Sequence, residues 1–141
     1  MRYVLDANAL LRFVDNEPGG VEVGQLLKRA LANDVELLMS VVNWGEVLHY
    51  VLKIQGQAAM EAFESHYQSL PIRMLVVDQV VARIAAELRF RFKIPYADAF
   101  AAAAAVQNQA TVVTADYDFS LVRGTVKVQF LPSKGKGHTP Y

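Results

Sequence analysis

Four acidic residues stand where predicted strands end or predicted helices begin, so they could act together. They are Asp6, Glu46, Asp98 and Asp116. Asp6 interrupts two apolar segments in VLDANALL, residues 4 to 11, and a buried, unpaired carboxylate is costly. Two carboxylates about 5 Å apart repel each other by about 3 kcal/mol at an effective dielectric constant of about 20. Four converging carboxylates would therefore require cations.

Carboxylate oxygens without sulfur ligands suit Mg²⁺ or Mn²⁺. Such ions polarise a phosphate and lower the pKa of a bound water. If the four acids converge, the pattern indicates a site for one or two divalent ions and the chemistry of phosphodiester hydrolysis.

Each of the four acids also has a purely structural interpretation. Asp6 could cap the helix that follows it, and Glu46, three residues after Asn43, could complete a capping box. Asp98 could complement a helix macrodipole, and Asp116 could be a turn residue. These four interpretations do not explain why the residues would converge on one edge of a sheet.

The elements that must position the acids alternate between strands and helices. The predicted strands cover residues 2–5, 37–41, 74–77, 111–114 and 126–130. One predicted helix begins just after Asp6. Five others cover 21–32, 43–54, 58–70, the segment from Asp78 through Phe92, and the segment that starts at Pro95 and carries 99–109. This alternation predicts an α/β fold with a central, mostly parallel five-stranded sheet flanked by helices. Ligand sites in such sheets lie at the carboxyl ends of the strands, where Asp6 and Asp116 are expected.

The composition limits the class of protein. The 141 residues fit one domain, 53% of them are apolar, and the net charge of zero argues against a strongly basic nucleic-acid wrapper. The absence of cysteine excludes disulfides and cysteine-based zinc sites. No signal peptide is recognised, and the longest wholly apolar run, 99–106, is far shorter than the roughly 20 residues of a membrane helix. A cytoplasmic protein without a membrane segment is expected.

Four motifs occur together in this chain. They are VLDANALL (4–11), Glu46 after a short strand, PYADAFAAAAA (95–105) and VVTADYDF (112–119). Their order and approximate spacing resemble those of PIN-domain ribonucleases, in particular the small VapC-type toxins of bacterial and archaeal toxin–antitoxin pairs. The resemblance extends from Arg2 to about Phe130.

The resemblance implies a PIN-like three-layer fold over residues 1–131. The polar composition of residues 132–141 predicts a flexible tail. The resemblance also implies an endoribonuclease that depends on one or two Mg²⁺ or Mn²⁺ ions and cleaves RNA by metal-activated water, leaving 5′-phosphate and 3′-hydroxyl ends. The implied partners are the RNA substrate, a cognate antitoxin protein and a second copy of the chain in a homodimer.

The family's acidic positions fall on four residues, which the resemblance makes the catalytic residues and metal ligands: Asp6, Glu46, Asp98 and Asp116. Asn8, Thr114 and Asp118 match supporting positions. Asp118 is expected mainly to cap a short turn, and as a nearby acid it could also assist at the metal. Two departures concern hydroxyl groups. Ala7 stands where the family often has Thr or Ser, and Asn43 stands where many members carry a hydroxyl residue before the glutamate. A supporting hydrogen bond could therefore be missing or be supplied by an amide, and either case bears on metal affinity and preference.

A partly basic stretch precedes the third motif. Arg89, Arg91 and Lys93 are candidates for contacts with RNA phosphates, and the alternative is an ordinary solvated helix face. The predicted helix at 43–54 is apolar nearly all round, which favours core packing first and a partner surface second.

Other functions remain open at this point. An aspartyl-phosphatase would use the aspartate after the first strand as a nucleophile, but such sites usually have a second acid two positions later, where this chain has Asn8. A non-catalytic RNA- or partner-binding PIN module is typically marked by the loss of acids, and all four are present here. A PIN nuclease of RNA processing is a further alternative to a toxin.

Overall fold

The structure is a computed structural model, and it describes residues 1–132. The strands of this part of the chain are β1 (Arg2–Leu5), β2 (Glu36–Ser40), β3 (Ile72–Leu75), β4 (Thr111–Thr114) and β5 (Val128–Phe130). Its α-helices are α1 (Ala7–Val14), α2 (Gly20–Leu31), α3 (Val41–Gln55), α4 (Gln57–Tyr67), α5 (Gln79–Phe92) and α6 (Tyr96–Asn108), and a 3₁₀ helix covers Tyr117–Val122. The expected tail at 132–141 lies, except for its first residue, outside the described residues.

The five strands form one sheet in the order β3-β2-β1-β4-β5, and every neighbouring pair is parallel. The α/β fold with a parallel sheet is therefore confirmed. Because β1 lies between β2 and β4, the segments that leave these three strands start from the same edge. The chain runs from this edge into Asp6, into α3 and into Asp116.

Helices cover both faces of the sheet, and the side chains of each strand alternate between them. Val4, Leu38 and Val112 pack with the buried residues of α5 and α6. Leu5 and Val113 belong to the core on the opposite face, which α1, α2, α3 and α4 contribute to. The arrangement is a three-layer sandwich of helices, sheet and helices.

The alanine-rich helix α6 lies deepest in the molecule. Each residue from Ala101 to Ala105 is at most 3% exposed. Side chains this small allow the helix to approach both the sheet and α5 closely. The close approach places the first turn of α6, which carries Asp98, next to the edge where β1 and β4 end.

No helix within residues 1–132 has the length and apolar character needed to cross a lipid bilayer.

The observed boundaries differ from the predicted ones where capping ends an element. The Ser40 hydroxyl accepts a hydrogen bond from the Val42 amide, so α3 begins at Val41 and β2 ends one residue earlier than predicted. Because β2 ends at Ser40, its last pair with β3 is Ser40–Leu75. The strand predicted over 74–77 therefore covers Ile72–Leu75 instead. Pro95 is the N-cap of α6 rather than its first helical residue.

Gly20 opens α2 where this helix meets the backbone of α1. A Cβ atom at Gly20 would lie 2.5 Å from the carbonyl oxygen of Arg12, and a main-chain group cannot rotate away. We expect Gly20→Ala to lower the free energy of unfolding by about 3 kcal/mol, as typical of strong overpacking. Urea denaturation measures the change.

Gly45 provides the matched control for this substitution. It lies within α3, and apart from the backbone of that helix no atom of residues 1–132 lies within 4 Å of the position of its Cβ atom. Gly45→Ala should raise the free energy of unfolding by about 0.5–1 kcal/mol through helix propensity. Equal stability of Gly20→Ala and wild-type protein would contradict the rigid contact between α1 and α2.

Candidate metal centre

The four predicted acids lie at one cleft. Asp6 follows β1 and caps α1, and Glu46 lies in the second turn of α3. Asp98 lies in the first turn of α6, and Asp116 caps the 3₁₀ helix after β4. All four line a cavity of about 420 Å³ at the carboxyl edge of the sheet. The structure therefore brings together residues that are up to 110 positions apart in the sequence.

Asp6 is the most deeply buried of these acids, with 3% of its surface exposed. Its Oδ1 accepts a hydrogen bond from the Ala9 amide at 2.8 Å, so it does cap α1. Its Oδ2 accepts one from the Thr114 hydroxyl. Burial raises the pKa of Asp6 to about 7, although the Thr114 and Ala9 bonds oppose the shift and the charges of Asp116 and Glu46 add to it. Capping alone does not account for so unfavourable a charge.

The pKa of Asp98 is affected by all three of the other acids. Burial is the largest cause that raises its pKa to about 8, followed by the charge of Asp116 and a hydrogen bond with it, and then by the charges of Asp6 and Glu46. Its Oδ2 is buried and has no hydrogen-bond partner among residues 1–132. A buried acceptor without a partner is uncommon and calls for an explanation. A bound cation would satisfy this oxygen.

Thr114 connects two of the acids. Its hydroxyl donates to Asp6 and accepts a hydrogen bond from the Asp116 amide at 2.9 Å. The hydroxyl that reaches Asp6 thus comes from β4, whereas Ala7, at the position where the resemblance led us to expect a hydroxyl residue, only lines the cleft. Asn8 lines the cleft as well.

Asp118 lies nearer to the cluster than a mainly structural role requires. The Asp116 carboxylate accepts a hydrogen bond from the Asp118 amide at 2.9 Å, which agrees with Asp116 as a turn residue. Carboxylate oxygens of Asp98, Asp116 and Asp118 lie within 4.8 Å of one another. Partial burial, followed by the charge of Asp116, raises the pKa of Asp118. Asp6 is outside this tightest group, although it interacts electrostatically with Asp116.

The Glu46 carboxylate bonds to a side chain and does not cap the end of α3. Because Ser40 caps α3, Glu46 does not form a capping box with Asn43. The amide nitrogen of Asn43 instead donates to Oε1 of Glu46 at 3.0 Å. An amide therefore does occupy the place of the missing hydroxyl donor.

The residues of the cluster fit a divalent cation. All the donors are carboxylate oxygens, and one of them is buried without a hydrogen-bond partner among residues 1–132. Burial and the charges of neighbouring acids raise the pKa values of Asp6 and Asp98. Each carboxylate oxygen has more than one lone pair, so those of Asp6 can accept their hydrogen bonds and still bind a metal. Mg²⁺ and Mn²⁺ favour oxygen donors of this kind.

The basic stretch at the end of α5 does not line the cleft. Arg89 donates to the carbonyl oxygen of Ile94 at 2.8 Å and lies 5.9 Å from the centre of the Tyr96 ring. The Arg91 guanidinium lies 4.9 Å from the centre of the Phe92 ring. Neither arginine, nor Lys93, is among the residues that line the acidic cavity. An RNA contact at these three positions stays a prediction.

Four polar residues of the cleft were not identified from the sequence. They are Arg12, Asp15, Glu17 and Tyr50. Helical spacing contains a signal for two of them, since Tyr50 lies one turn after Glu46 and Asp15 lies two turns after Asn8. The Tyr50 hydroxyl donates to Asp15 at 3.3 Å. Arg12 is buried and donates to the carbonyl oxygens of Pro18 and Pro132, which fixes the wall of the cleft.

The metal-free protein should become less stable as the pH rises from about 4 to about 8. The unfolded chain releases the protons of Asp6 and Asp98 near the ordinary pKa of 3.8, whereas the folded chain retains them to about pH 7 and 8. The folded state binds more protons in this interval, so the free energy of unfolding falls. For Asp6 alone the loss is about 4 kcal/mol. Thermal unfolding in EDTA measures it.

Asp6→Asn isolates the contribution of one group to this pH dependence. Its slope between pH 5 and 7 should be clearly shallower than that of the wild-type protein, because asparagine does not titrate. Parallel stability curves for the two proteins would show that burial does not perturb Asp6 as described.

Comparisons with known proteins agree with this architecture. The sequence profile of the PIN domain matches residues 3–124. A search among curated proteins finds no match. A chain of the VapBC2 complex from Rickettsia felis, solved with a fragment of promoter DNA, superposes with a TM-score of 0.75 at 18% identity, over 94% of this chain and 100% of that one.

Two further solved structures have the same fold. FitAcB from Neisseria gonorrhoeae matches with a TM-score of 0.68 at 26% identity, over 89% of this chain and 95% of that one. VapC20 from Mycobacterium tuberculosis, described as a toxin that cleaves the sarcin–ricin loop, matches with a TM-score of 0.66 at 19% identity, over 90% of this chain and 98% of that one.

Proposed function

Because this chain belongs to the PIN domain family, we propose that it is a Mg²⁺- or Mn²⁺-dependent endoribonuclease and the toxin of a toxin–antitoxin pair. The observation that carries the nuclease assignment is the cluster of Asp6, Glu46, Asp98 and Asp116 at one cleft, with the pKa values of Asp6 and Asp98 raised. The toxin assignment is supported by the likeness to chains of VapBC complexes.

The charge of the cleft itself supports a cation. Six carboxylates line the cavity: Asp6, Asp15, Glu17, Glu46, Asp98 and Asp116. Arg12 is the basic residue in this lining, and its guanidinium donates to two main-chain carbonyl groups. An RNA phosphate that approached these carboxylates alone would be repelled. Binding of a phosphodiester therefore requires positive charge that the side chains do not supply.

In this proposal the acidic residues and their hydrogen-bond partners have different roles. When bound, one or two Mg²⁺ or Mn²⁺ ions would supply Lewis-acid polarisation of the phosphate and lower the pKa of water. Asp6, Asp98 and Asp116 would hold the metal, with Glu46 completing the ring and Asp118 close to it. Thr114 and the Ala9 amide fix the Asp6 carboxylate. Asp6 and Asp98 have to release their protons before they can act as ligands, so metal affinity should increase with pH.

The proposed nucleophile is water rather than the 2′-hydroxyl group of the RNA. A bond forms between the water oxygen and phosphorus while the bond from phosphorus to the 3′-oxygen breaks. The attacking water loses a proton to solvent, and the leaving 3′-oxygen gains one from solvent. The products then carry a 5′-phosphate and a 3′-hydroxyl end. Mapping the termini produced from total RNA tests this directly, and a 2′,3′-cyclic phosphate would contradict it.

Partner binding is part of the same proposal. Helix α3 exposes apolar side chains, with Val41 42% and Ile54 60% exposed, in agreement with the partner surface that its sequence suggested. We assign such surfaces to a second copy of the chain and to an antitoxin. Light scattering of the purified protein tests for a dimer.

Expression in a bacterial host separates a toxin from a nuclease of RNA processing. A toxin should arrest growth, and co-expression of a small protein encoded by an adjacent gene should relieve the arrest and co-purify with the chain. Normal growth with an active nuclease would favour RNA processing instead.

A further inference from the structure

A single buried amide joins the two helices that carry Glu46 and Asp98. Asn43 lies in the first turn of α3 and is 0% exposed. Its Nδ2 atom donates to Oε1 of Glu46 at 3.0 Å and to the carbonyl oxygen of Ala97 at 3.1 Å. Ala97 directly precedes Asp98 in α6 and is 54 residues from Asn43 in the sequence. Both amide protons are therefore used, one on each helix.

The orientation of this amide is fixed by its partners. With the amide flipped, Oδ1 would face two acceptors, the Glu46 carboxylate and the Ala97 carbonyl group, and both bonds would be lost. In the observed orientation Oδ1 is buried and has no hydrogen-bond partner among the described residues. A side chain present only for stability would be expected to satisfy both ends of its amide. The arrangement instead satisfies the end that faces Glu46 and the main chain next to Asp98.

Of the two hydrogen bonds that Asn43 donates, the bond to Glu46 has the greater effect. Glu46 is an exposed residue, and a free glutamate side chain samples many rotamers. The bond from Asn43 restrains the carboxylate toward the cleft that it lines with Asp98. The second bond restrains the main chain at the start of α6. A serine or threonine hydroxyl has one proton and can donate to only one of the two acceptors.

We propose that Asn43 is a positioning residue that fixes Glu46 and Asp98 relative to each other for a divalent cation. The inference rests on the proposed metal-dependent function, because the two acids act as ligands there. Partners that orient metal ligands typically change metal affinity by about 10- to 100-fold when they are removed. Asn43 does not need to contact the metal or the RNA for this effect.

Calorimetric titration of Mn²⁺ into the metal-free full chain tests the inference. Asn43→Ala should bind Mn²⁺ about 10- to 100-fold more weakly than wild-type protein. Asn43→Ser retains one donor and should fall between the two. The concentration of Mn²⁺ that gives half-maximal RNA cleavage should rise in the same order, with a smaller change in the rate at saturating Mn²⁺.

Asn108 offers a matched control at the other end of α6. Its Nδ2 atom donates to the carbonyl oxygen of Ala104 at 2.8 Å, and it does not line the acidic cavity. Asn108→Ala removes an amide hydrogen bond to a main-chain carbonyl group but should leave Mn²⁺ affinity unchanged. Melting temperatures of all variants separate effects on folding from effects on the site.

The inference is overturned if a folded Asn43→Ala protein has a lower melting temperature but the Mn²⁺ affinity of the wild type, since the role would then be structural. If Asn43→Ala does not fold, Asn43→Ser decides by the same criterion. Failure of the wild-type protein itself to bind Mn²⁺ would overturn the proposed function and this inference with it, so the two failures are distinguishable.

Discussion

An Asp6→Asn variant should cleave RNA at least about a thousandfold more slowly than the wild-type protein, because a metal ligand worth several kcal/mol in the transition state is lost. The fold should survive. Asparagine has almost the same shape, its carbonyl oxygen can accept from the Ala9 amide, and its amide can donate to the Thr114 hydroxyl. The variant also removes a carboxylate whose pKa is raised to about 7 by burial. Without metal, at pH 8, it should therefore be more stable than the wild type.

Asp15→Asn is the matched control for this substitution. Asp15 lines the same cleft but is exposed, and its recorded side-chain bond is with Tyr50. The Asp15→Asn substitution makes the same change of charge as Asp6→Asn. It should alter the cleavage rate no more than a few-fold, because the charge of Asp15 is screened by solvent. Single-turnover cleavage in Mg²⁺ and thermal unfolding in EDTA measure both variants. Cleavage by Asp6→Asn within tenfold of wild type would remove Asp6 from the site.

Asp98→Asn should have an effect of the same size on cleavage, again at least about a thousandfold, and should also abolish measurable Mn²⁺ binding. Its carboxylate contains the buried oxygen without a partner, and its pKa, raised to about 8, responds to each of the other three acids. Asparagine would place an amide among the remaining carboxylates. The folded protein should be retained, because repulsion within the metal-free cluster decreases.

Asp118→Asn provides the comparison for Asp98→Asn. Asp118 contributes an oxygen to the tightest group, but it is exposed, and its main-chain amide rather than its carboxylate bonds to Asp116. We expect a loss of about tenfold, as for a group that supports a metal ligand. A loss as large as that of Asp98→Asn would instead make Asp118 a full ligand. Wild-type Mn²⁺ affinity in Asp98→Asn would contradict the proposed site.

The positions of the acids could be predicted because they depend on regular features of the chain. The apolar strands at Arg2–Leu5 and Thr111–Thr114 are short and buried on both sides, and alternation with helices predicts parallel pairing. Parallel strands end at a common edge, which brings Asp6 and Asp116 together. Glu46 and Asp98 were predicted from their places near the starts of helices, and the resemblance to PIN-domain ribonucleases supported all four positions.

Contacts between distant segments could not be predicted in the same way. The bond from Asn43 to Ala97 spans 54 residues and depends on how closely α3 packs against α6. The pKa values of Asp6 and Asp98 depend on burial, which the sequence indicates only for strands and apolar faces. The boundary of α3 was misplaced because Ser40 rather than a later residue caps it.

Some features of the site were within reach of the sequence but were not recognised. Tyr50 follows Glu46 at a spacing of four residues on one helix, so it lies on the same face. Asp15 follows Asn8 at a spacing of seven residues in the same way. Extending the search one helical turn beyond Glu46 and two helical turns beyond Asn8 would have included both residues.

The most direct test of the account is the rate of RNA cleavage by wild-type protein as free Mg²⁺ or Mn²⁺ is varied from zero, in excess EDTA, to saturation. The carboxylate cluster predicts no cleavage in EDTA, full recovery when either ion is added back, and a midpoint that moves to lower metal concentration between pH 6 and pH 8 as Asp6 and Asp98 lose their protons. Undiminished cleavage in excess EDTA would contradict the central claim that these acids act through a divalent cation.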